Sequence, residues 1–315
     1  MLYLGLFALF YIIIIYYFKV ATKYNIIDKP NERSSHTEIT IRGGGIIFMV
    51  ASLAVFVLHP SYWLLVLGSL LIGIISFIDD RITLSSKIRL LVHVVSVTLM
   101  LFFLDVFSLP AYLILALYII CIGIINMYNF MDGINGITGL YTLVVLGGLQ
   151  YVNHQLNIIE ADLIYLPMIA SIVFLFFNFR KRARCFAGDV GSVSIAFWIA
   201  FLLFKLILLT GDWKYLLFLG VYGVDSVLTI LHRLILKENI FQPHRLHFYQ
   251  ILANDRKVPH LLVSVGYAIV QVAVIIFVIA NPDLVFYKTF VIVLTPLIIA
   301  YLVLKPKLQN KVVMK

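Results

Sequence analysis

Eleven long apolar runs separated by short polar segments constrain this chain more than any other feature. Most are roughly 17 to 22 residues long, enough to cross about 30 Å of hydrocarbon as an α-helix. The chain is 63% hydrophobic and 12% charged, more apolar than a soluble domain can bury. We therefore predict an all-α, polytopic integral membrane protein in which residues 1–315 form a single transmembrane domain. The runs are 2–18, 43–59, 62–78, 88–104, 111–127, 137–153, 163–179, 191–209, 214–236, 260–280 and 287–304.

The distribution of Lys and Arg predicts how these runs are oriented. If the N-terminus lies outside, all but three of the 24 basic residues fall on the inner side, the exceptions being Lys205, Lys214 and Lys288. Lys205 sits where its side chain can extend outward from the eighth run. Because basic residues are retained in cytoplasmic loops, we predict an outside N-terminus and a cytoplasmic C-terminus. The net charge of +9 is then mostly a topology signal.

Acidic motifs test this topology independently. Asp79 and Asp80 end the third run, Asn129 and Asp132 end the fifth, and Asp189 precedes the eighth. All three motifs fall on the predicted cytoplasmic face. Since ionised groups near hydrocarbon are costly, acids gathered at helix ends indicate a site. We expect it in five cytoplasmic loops, 19–42, 79–88, 127–137, 180–192 and 237–259.

The side chains of these motifs suit a hard cation and a phosphate. Carboxylate and amide oxygens favour Mg²⁺, which takes one or two protein ligands and completes its shell with water and phosphate oxygens. The i, i+3 spacing of Asn129 and Asp132 places them on one helical face. The segment Gly188-Asp189-Val190-Gly191-Ser192 opens the eighth run, where a helix N-terminus can approach a phosphate. The same glycines and aspartate are also common helix caps, so this segment alone decides little.

Taken in order, these motifs resemble the polyprenyl-phosphate N-acetylhexosamine-1-phosphate transferase family. The resemblance covers nearly the whole chain and, in the run from Glu238 to Gln250, looks like the subgroup that begins O-antigen or related surface polysaccharides with a deoxygenated sugar, such as N-acetylfucosamine or N-acetylquinovosamine. It rests on Asp28 to His36 with Gly44-Gly45, Asp79-Asp80 with Lys87 and Arg89, Asn129 with Asp132, Phe186 to Ser192, Asp225, Arg233, and Arg245 with His247.

The resemblance implies that phosphate of undecaprenyl phosphate attacks the β-phosphorus of a UDP-N-acetylhexosamine, giving undecaprenyl-pyrophosphoryl-N-acetylhexosamine and UMP. It implies Mg²⁺ as cofactor, with Mn²⁺ as an alternative, and a bacterial inner membrane location. The metal ligands would be Asn129 and Asp189. The catalytic residues would be Asp79, Asp80, Asp132 and Asp189. The substrate-binding residues would be Arg33, His36, Lys87, Arg89, Asn135, Phe186, Arg245 and His247.

The same resemblance suggests how these residues divide the work. Asp79 and Asp80 would lie near the lipid phosphate, with Asp79 either a base or an organiser of charge. Lys87 and Arg89 would hold phosphates, Phe186 would stack on uracil, and Asn135 would bond the uracil edge. Arg245 and His247 would face the sugar and the pyrophosphate. Asp225 is expected to pair with Arg233 or with a backbone N–H.

Several positions depart from the family pattern. Ile41 replaces a proline before Gly44-Gly45, Asn135 stands where many bacterial members have a second Asp, and Tyr249 and Gln250 stand where further histidines are common. These departures leave the sugar open, and a UDP-N-acetylglucosamine-specific enzyme serving teichoic acid or enterobacterial-type glycans is the alternative. A peptidoglycan-precursor transferase is disfavoured by the reduced histidine motif.

A secondary transporter is the rival from another class, with Asp79, Asp132 and Asp225 as ion sites. Transporters usually carry such charges near the membrane midplane and often show internal repeats, whereas here the acids cluster at one face and no repeat is visible. No aromatic and basic platform for nucleic acid is present, so we expect no nucleic-acid partner. The expected partners are the bilayer, undecaprenyl phosphate and the UDP-sugar, with a homodimer left open.

Overall fold

The computed structural model describes residues 1–28, 39–239 and 245–309. Each of the eleven apolar runs coincides with a helix in this part of the chain, so the all-α prediction is confirmed. The helices are α1 (Leu2–Lys23), α2 (Ile46–Leu58), α3 (Trp63–Asp79), α4 (Ser86–Phe103), α5 (Ala111–Met131), α6 (Ile137–Leu156), α7 (Asp162–Asn178), α8 (Gly188–Thr210), α9 (Gly220–Ile235), the short α10 (Phe248–Gln250), α11 (His260–Ala280) and α12 (Phe286–Leu308).

Within the described residues, eight helical segments are long and apolar enough to cross a membrane. The protein is therefore a multi-pass membrane protein. Helices α2 and α7, with 13 and 17 residues, are apolar but shorter, and α6 carries several polar side chains. Eleven crossings and the orientation of the termini remain predictions. The eight segments are α1, Pro60–Asp79, α4, α5, α8, Trp213–Ile235, α11 and α12.

Helix α8 forms the centre of the molecule. Its most apolar stretch is 78% buried, against 17% for α12 and 22% for α1. It packs against α2, α3, α5 and α6. A helix that is apolar on every side needs such surroundings, and Phe197, Phe201 and Phe204 have no exposed surface. The N-terminus of α8 therefore lies on the central axis of the bundle, at the end where the aspartate motifs converge.

Close backbone approach at two glycines holds α2 against α8. A Cβ atom on Gly45 would collide with the Cα of Gly191, and one on Gly191 would lie 2.7 Å from the Cα of Gly45. Both separations are shorter than real Cβ contacts. Two small residues facing each other let membrane helices pack through their backbones. Gly191 lies about one turn into α8, so the contact also fixes the position of Asp189 along the helix axis.

A short β-hairpin leads the chain into α2. Strand β1 (Ile27–Asp28) pairs antiparallel with β2 (Thr40–Ile41), with Ile27 opposite Ile41. On its other side β2 meets the loop before α8, where the Phe186 N–H donates to the Ile41 carbonyl at 2.8 Å. The Gly44 N–H then donates to the Phe186 carbonyl, also at 2.8 Å. These bonds tie the first predicted loop to the fourth.

Polar residues gather at both ends of the bundle. At one end, which we call the acidic end, lie Asp80, Asp132 and Asp189. At the opposite end, the His59 ring nitrogen lies 2.7 Å from an oxygen of Asp162. Lys205 lies there too, 3.1 Å from the Tyr62 hydroxyl. The three acidic motifs therefore share one end, and the residues predicted to lie outside share the other.

Candidate active site

Asp80 caps the first turn of α8 from another helix. Its two carboxylate oxygens accept the backbone N–H groups of Asp189 and Val190, each at 3.1 Å. Gly188 permits this approach, since its φ is +70° and a Cβ there would lie 2.5 Å from Asp80 Oδ2. The first turn of a helix has unpaired N–H groups that favour an anion. Here the anion that accepts these two N–H groups is Asp80, and the approach of a substrate phosphate to this helix start stays a prediction.

Arg42 bridges two of the aspartates. Its Nε lies 2.7 Å from Asp80 Oδ1 and its Nη2 lies 3.8 Å from Asp189 Oδ1. The Asp80 side chain is completely buried, whereas that of Asp189 is 26% exposed. Asp80 is thus fully occupied by Arg42 and the helix, while Asp189 keeps one side open. In the sequence Arg42 contributes only to the topology signal, although its place beside three consecutive glycines is a local mark of this position.

Asp79 holds the turn between α3 and α4. One oxygen accepts the Leu84 N–H at 2.7 Å, and the other lies 3.0 Å from Nη1 of Arg89. The Arg89 side chain remains 39% exposed. Lys87, two residues earlier on α4, is exposed. The carboxylate therefore orients a guanidinium that keeps access to solvent at the acidic end.

Asn129 and Asp132 end α5 beside α8. The Asn129 carboxamide donates to the Ser192 hydroxyl at 3.4 Å and also interacts with the Asp189 carboxylate. Asp132 accepts a hydrogen bond from the Thr138 hydroxyl at 2.5 Å. The structure thus brings together Asn129 and Asp189, the two residues predicted to bind a metal.

Burial changes the acidity of two of these carboxyl groups. Loss of solvent, together with the nearby charge of Asp189, raises the pKa of Asp80 to about 6, although Arg42 and the two N–H groups oppose the change. Burial raises the pKa of Asp132 to about 7 despite the hydrogen bond from Thr138. Each shift reflects carboxylates crowded at low solvent exposure. A cation close to Asp189 would relieve this repulsion.

The loop that precedes α8 is pinned by amides. Asn135 donates to the carbonyls of Arg180 and Lys181, at 2.8 and 3.3 Å. Asn178, which sequence reasoning missed, donates to the Cys185 carbonyl and accepts the Gly136 N–H. Asn135 is buried and Phe186 is half-buried. Binding of uracil by these last two residues stays a prediction, while their backbone contacts show how the loop is shaped.

Asp225 organises the last loop from inside α9. It accepts the N–H groups of Phe248 and Tyr249 at 2.8 and 3.3 Å, and the Tyr267 hydroxyl at 2.7 Å. Of the two expected partners, the backbone N–H is confirmed. Arg233 instead pairs with Glu238, at 2.9 Å. A buried aspartate thus caps α10 as Asp80 caps α8, and it positions the segment that carries His247.

The remaining predicted binding residues are distributed unevenly. His247 is buried, with Nδ1 3.4 Å from Asp225 Oδ1. Its ring lies 6.0 Å from that of Phe130 at the end of α5. Tyr249 joins the same helix end by donating to the Phe130 carbonyl at 2.9 Å. Arg245 is half-buried. Arg33 and His36 lie outside the described residues. The last loop is therefore attached next to Asn129 and Asp132.

The donor atoms fit a magnesium ion that shares its shell with substrate. Among the described residues no group of three His, Cys, Asp or Glu side chains forms a ready metal site. Asp189 nevertheless has a carboxylate and Asn129 an amide oxygen, the hard donors that Mg²⁺ takes alongside water and phosphate oxygens. The Asn129 nitrogen faces Ser192 and Asp189 here, so its oxygen would serve as a ligand after rotation of the carboxamide. Asp189 is open on one side, and the surplus of carboxylates favours a cation. The fit is therefore to a cation that arrives with a phosphorylated ligand.

Comparison with known proteins agrees with this geometry. Residues 62–207 match the family described as glycosyl transferase family 4. The matched segment runs from the start of α3 into α8, and so contains Asp79, Asp80, Asn129, Asp132 and Asp189. The loops before α2 and after α9 lie outside it. Together with the relatives described next, this match supports the polyprenyl-phosphate N-acetylhexosamine-1-phosphate transferase family, while the narrower subgroup remains a prediction.

Full-length relatives extend the similarity beyond the matched segment. The chain is 27% identical over 269 residues to a probable undecaprenyl-phosphate N-acetylglucosaminyl 1-phosphate transferase of Bacillus subtilis (strain 168), covering 74% of this chain and 71% of the relative. It is 26% identical, with the same coverage, to undecaprenyl-phosphate α-N-acetylglucosaminyl 1-phosphate transferase of Escherichia coli (strain K12). Phospho-N-acetylmuramoyl-pentapeptide-transferase of Streptococcus pneumoniae (strain 70585) is 27% identical over 219 residues, 60% of this chain and 65% of the relative.

Proposed function

We propose that this protein transfers an N-acetylhexosamine 1-phosphate from a UDP-sugar to undecaprenyl phosphate, producing undecaprenyl-pyrophosphoryl-N-acetylhexosamine and UMP. The observation that carries the proposal is the meeting of Asp189 and Asn129, with Arg42 and Arg89 nearby, at one end of membrane-spanning helices. A lipid acceptor can reach this end from the bilayer, and a nucleotide can reach it from water. The similarity to undecaprenyl-phosphate transferases supports the same reaction.

Both reactants are anions, so catalysis requires alignment and neutralisation of charge more than covalent chemistry. Mg²⁺ bound by Asp189 and Asn129 would neutralise the donor pyrophosphate. Asp80 keeps Asp189 at the start of α8 through the two N–H bonds, and Arg42 offsets the charge of both acids. Arg89, oriented by Asp79, is placed to attract a phosphate from solvent. Each of these residues therefore acts by fixing charge in position.

The surroundings of Asp79 favour the organising role over that of a base. Both of its oxygens are engaged, one with the Leu84 N–H and one with Arg89. A phosphate monoester is already largely dianionic near neutral pH, so the acceptor needs little deprotonation. The attacking phosphate oxygen forms the new bond to phosphorus and UMP leaves with the electron pair of the broken bond. No proton has to be removed by the protein for this exchange.

The sugar is the finer part of the proposal. The run from Glu238 to Gln250 favours a deoxygenated N-acetylhexosamine for O-antigen or related lipopolysaccharide synthesis. The names of the similar proteins favour N-acetylglucosamine. We place the reaction at the cytoplasmic face of a bacterial inner membrane because most of the basic residues lie at the acidic end. Residues 240–244 of the run lie outside the described residues.

Product analysis with purified protein tests the reaction. Protein, undecaprenyl phosphate and Mg²⁺ are incubated with UDP-N-acetylglucosamine, UDP-N-acetylfucosamine or UDP-N-acetylquinovosamine, and the lipid product is identified by mass. We expect UMP release and a lipid pyrophosphoryl sugar with at least one donor. A secondary transporter would release UMP with none, and that result would overturn the proposal. The preferred donor decides between the two sugar classes.

Metal dependence tests the assigned ligands. Chelation with EDTA should abolish turnover, and Mg²⁺ or Mn²⁺ should restore it. Asp189→Asn should lower kcat by about 100-fold or more, the scale of one lost transition-state interaction. Asp283→Asn, at an exposed position far along the chain, is the matched control and should retain activity. Full turnover in chelator, or an Asp189→Asn rate close to wild type, would show that the metal assignment is wrong.

A further inference from the structure

An open groove of about 760 Å³ runs along α1 near the acidic end. One wall is α1, with Ile15, Phe18, Lys19, Thr22 and Lys23. The other wall is formed by Ile39 and Ile41 of the β2 segment together with Ala183 and Arg184 of the loop before α8. Helix α1 is only 22% buried over its apolar stretch. The groove is therefore accessible from the surrounding lipid.

Side chains along the α1 wall change from apolar to basic. Ile15, Lys19 and Lys23 are spaced by four residues, so they follow one face of the helix. The rise from Ile15 to Lys23 is about 12 Å. Ile15 and Phe18 lie deeper in the apolar run, and Lys23 lies in the last turn of the helix. A phospholipid also changes from apolar to charged over a comparable distance, from its acyl chain to its phosphate.

The groove carries positive charge that the described residues do not neutralise. Three of its nine lining residues are basic and none is acidic. Within residues 1–28, 39–239 and 245–309, no carboxylate forms an ion pair with Lys19, Lys23 or Arg184. All three side chains are exposed. Basic pockets beside membrane helices attract anionic head groups, so the charge specifies an anionic occupant.

The groove is separate from the aspartate site, although one strand links them. Side chains alternate across a strand. Ile41 lines the groove, whereas the next residue, Arg42, extends to Asp80 and Asp189. A phosphate held by Lys19, Lys23 and Arg184 therefore lies on the far side of β2 from Asp189. This separation favours a resident membrane lipid over the reacting acceptor.

We propose that this groove binds an anionic glycerophospholipid, with the acyl chain against Ile15 and Phe18 and the head-group phosphate between Lys19, Lys23 and Arg184. The occupant stabilises the wall that contains Ile41, and through it the position of Arg42. Binding does not require the transfer reaction, so it can be tested whether or not a sugar donor has been found.

Native mass spectrometry of purified protein titrated with phosphatidylglycerol or phosphatidylcholine measures this binding. The groove variant is Lys19→Gln/Lys23→Gln/Arg184→Gln. The control is Lys237→Gln/Lys257→Gln/Lys307→Gln, which removes three charges at exposed positions outside the groove. Each basic residue contributes roughly a fivefold factor near an anionic lipid surface. We expect the groove variant to weaken phosphatidylglycerol binding by about 10-fold or more, and the control to bind it as wild type does.

Equal weakening in the groove and control variants would overturn the proposal, as would equal wild-type affinity for both phospholipids. Competition with undecaprenyl phosphate identifies the source of the phosphate. If the groove variant loses undecaprenyl phosphate but keeps phosphatidylglycerol, the groove holds the acceptor and the proposal is wrong. Should the triple variant not fold, a photoreactive phosphatidylglycerol on the wild-type protein gives the answer. Crosslinks should map to 15–23 or 183–184, and crosslinks confined to other segments contradict the site.

Discussion

Asp79, Asp80 and Asp189 share two guanidinium groups at the acidic end, but their surroundings differ. The oxygens of Asp79 accept hydrogen bonds from a backbone N–H group and from Arg89. Those of Asp80 accept hydrogen bonds from two backbone N–H groups and contact Arg42. Asp189 has the longer contact with Arg42, at 3.8 Å, and an open side. A carboxylate whose hydrogen bonds are complete positions its neighbours, whereas one that is partly open can take a ligand. The three residues are the same amino acid, but the structure gives them different contacts and different exposure.

Removing the Asp80 carboxylate should destabilise the protein. In Asp80→Ala, the N–H groups of Asp189 and Val190 and the guanidinium of Arg42 lose their shared partner. Loss of a helix cap costs about 1 kcal/mol, and loss of the charged hydrogen bond to Arg42 adds to it. We expect the free energy of unfolding to fall by about 2 kcal/mol or more. Thermal unfolding in detergent measures it, with Asp283→Ala as control. A midpoint equal to wild type would show that the cap contributes little.

Arg42 should not be replaceable by lysine. Its planar group addresses two carboxylates through different nitrogens, which a single ammonium cannot reproduce. Arg42→Lys should lower kcat/KM for the UDP-sugar by about 10-fold, the loss of one charged hydrogen bond. Arg81→Lys, where the exposed side chain bonds only to the Tyr24 carbonyl among the contacts of the described residues, should have little effect. Steady-state kinetics of both variants measure this difference. Equal kcat/KM values for the two variants would show that Arg42 has no role in the site.

At the scale of elements, the contact between α2 and α8 sets how deep the site lies. Gly45 and Gly191 meet through their backbones, so α2 cannot shift along α8 without moving Arg42, which precedes α2, relative to Asp189. Small residues at a helix crossing are costly to enlarge because neighbouring backbones cannot rotate out of the way. Because Gly45 and Gly191 are far apart in the sequence, their contact cannot be predicted from the local sequence around either residue.

Adding one methyl group at this crossing should be destabilising. Gly191→Ala places a Cβ 2.7 Å from Gly45 Cα and 2.9 Å from Ala187 Cβ, which should cost about 1 to 3 kcal/mol. Gly223→Ala on α9 is the matched control, since nothing lies within 4 Å of its Cβ position. It should be neutral or stabilising by up to about 1 kcal/mol. Thermal unfolding midpoints in detergent compare the two variants, and we expect the lower midpoint for Gly191→Ala. A lower midpoint for Gly223→Ala would contradict the close packing of α2 against α8.

Sequence reasoning located the helices well because apolar run length is a local property. The run 43–59 corresponds to Ile46–Leu58, and 137–153 to Ile137–Leu156. The run 214–236 was less accurate. It divides into a 3-10 segment, Trp213–Leu219, and α9. Its hydrophobicity alone does not mark that change, although Gly220, the first glycine in the run, stands at the boundary.

Across the whole molecule, the polar residues separate into two ends with apolar helices between them. The first and last helices are mostly exposed, as expected of helices that face lipid, and α8 is enclosed. Sequence reasoning brought Asp80, Asn129 and Asp189 to one end because basic residues determine topology. It missed Arg42 and Asn178, because their contacts join loops that only the folded bundle brings together.

Thiol labelling tests the orientation of the two ends. Ser61 and Ser85 are exposed and flank α3 at opposite ends, and the native Cys121 and Cys185 are buried. An impermeant thiol reagent added to intact cells should label Ser61→Cys and leave Ser85→Cys unlabelled until the membrane is opened. The reverse pattern would invert the topology, and with it the cytoplasmic placement of the nucleotide.

The cap on α8 also has a consequence for biogenesis. Asp80 and the N–H of Asp189 are 109 residues apart, so a ribosome adding about 5 to 20 residues per second needs roughly 5 to 20 s to supply the second partner. Throughout that interval the Asp80 carboxylate lacks the two N–H groups that it caps in the folded protein, and its available partners are water and Arg42. The acidic end can therefore close only after α8 has been inserted, and a nascent chain arrested before residue 188 should keep Asp80 open to water.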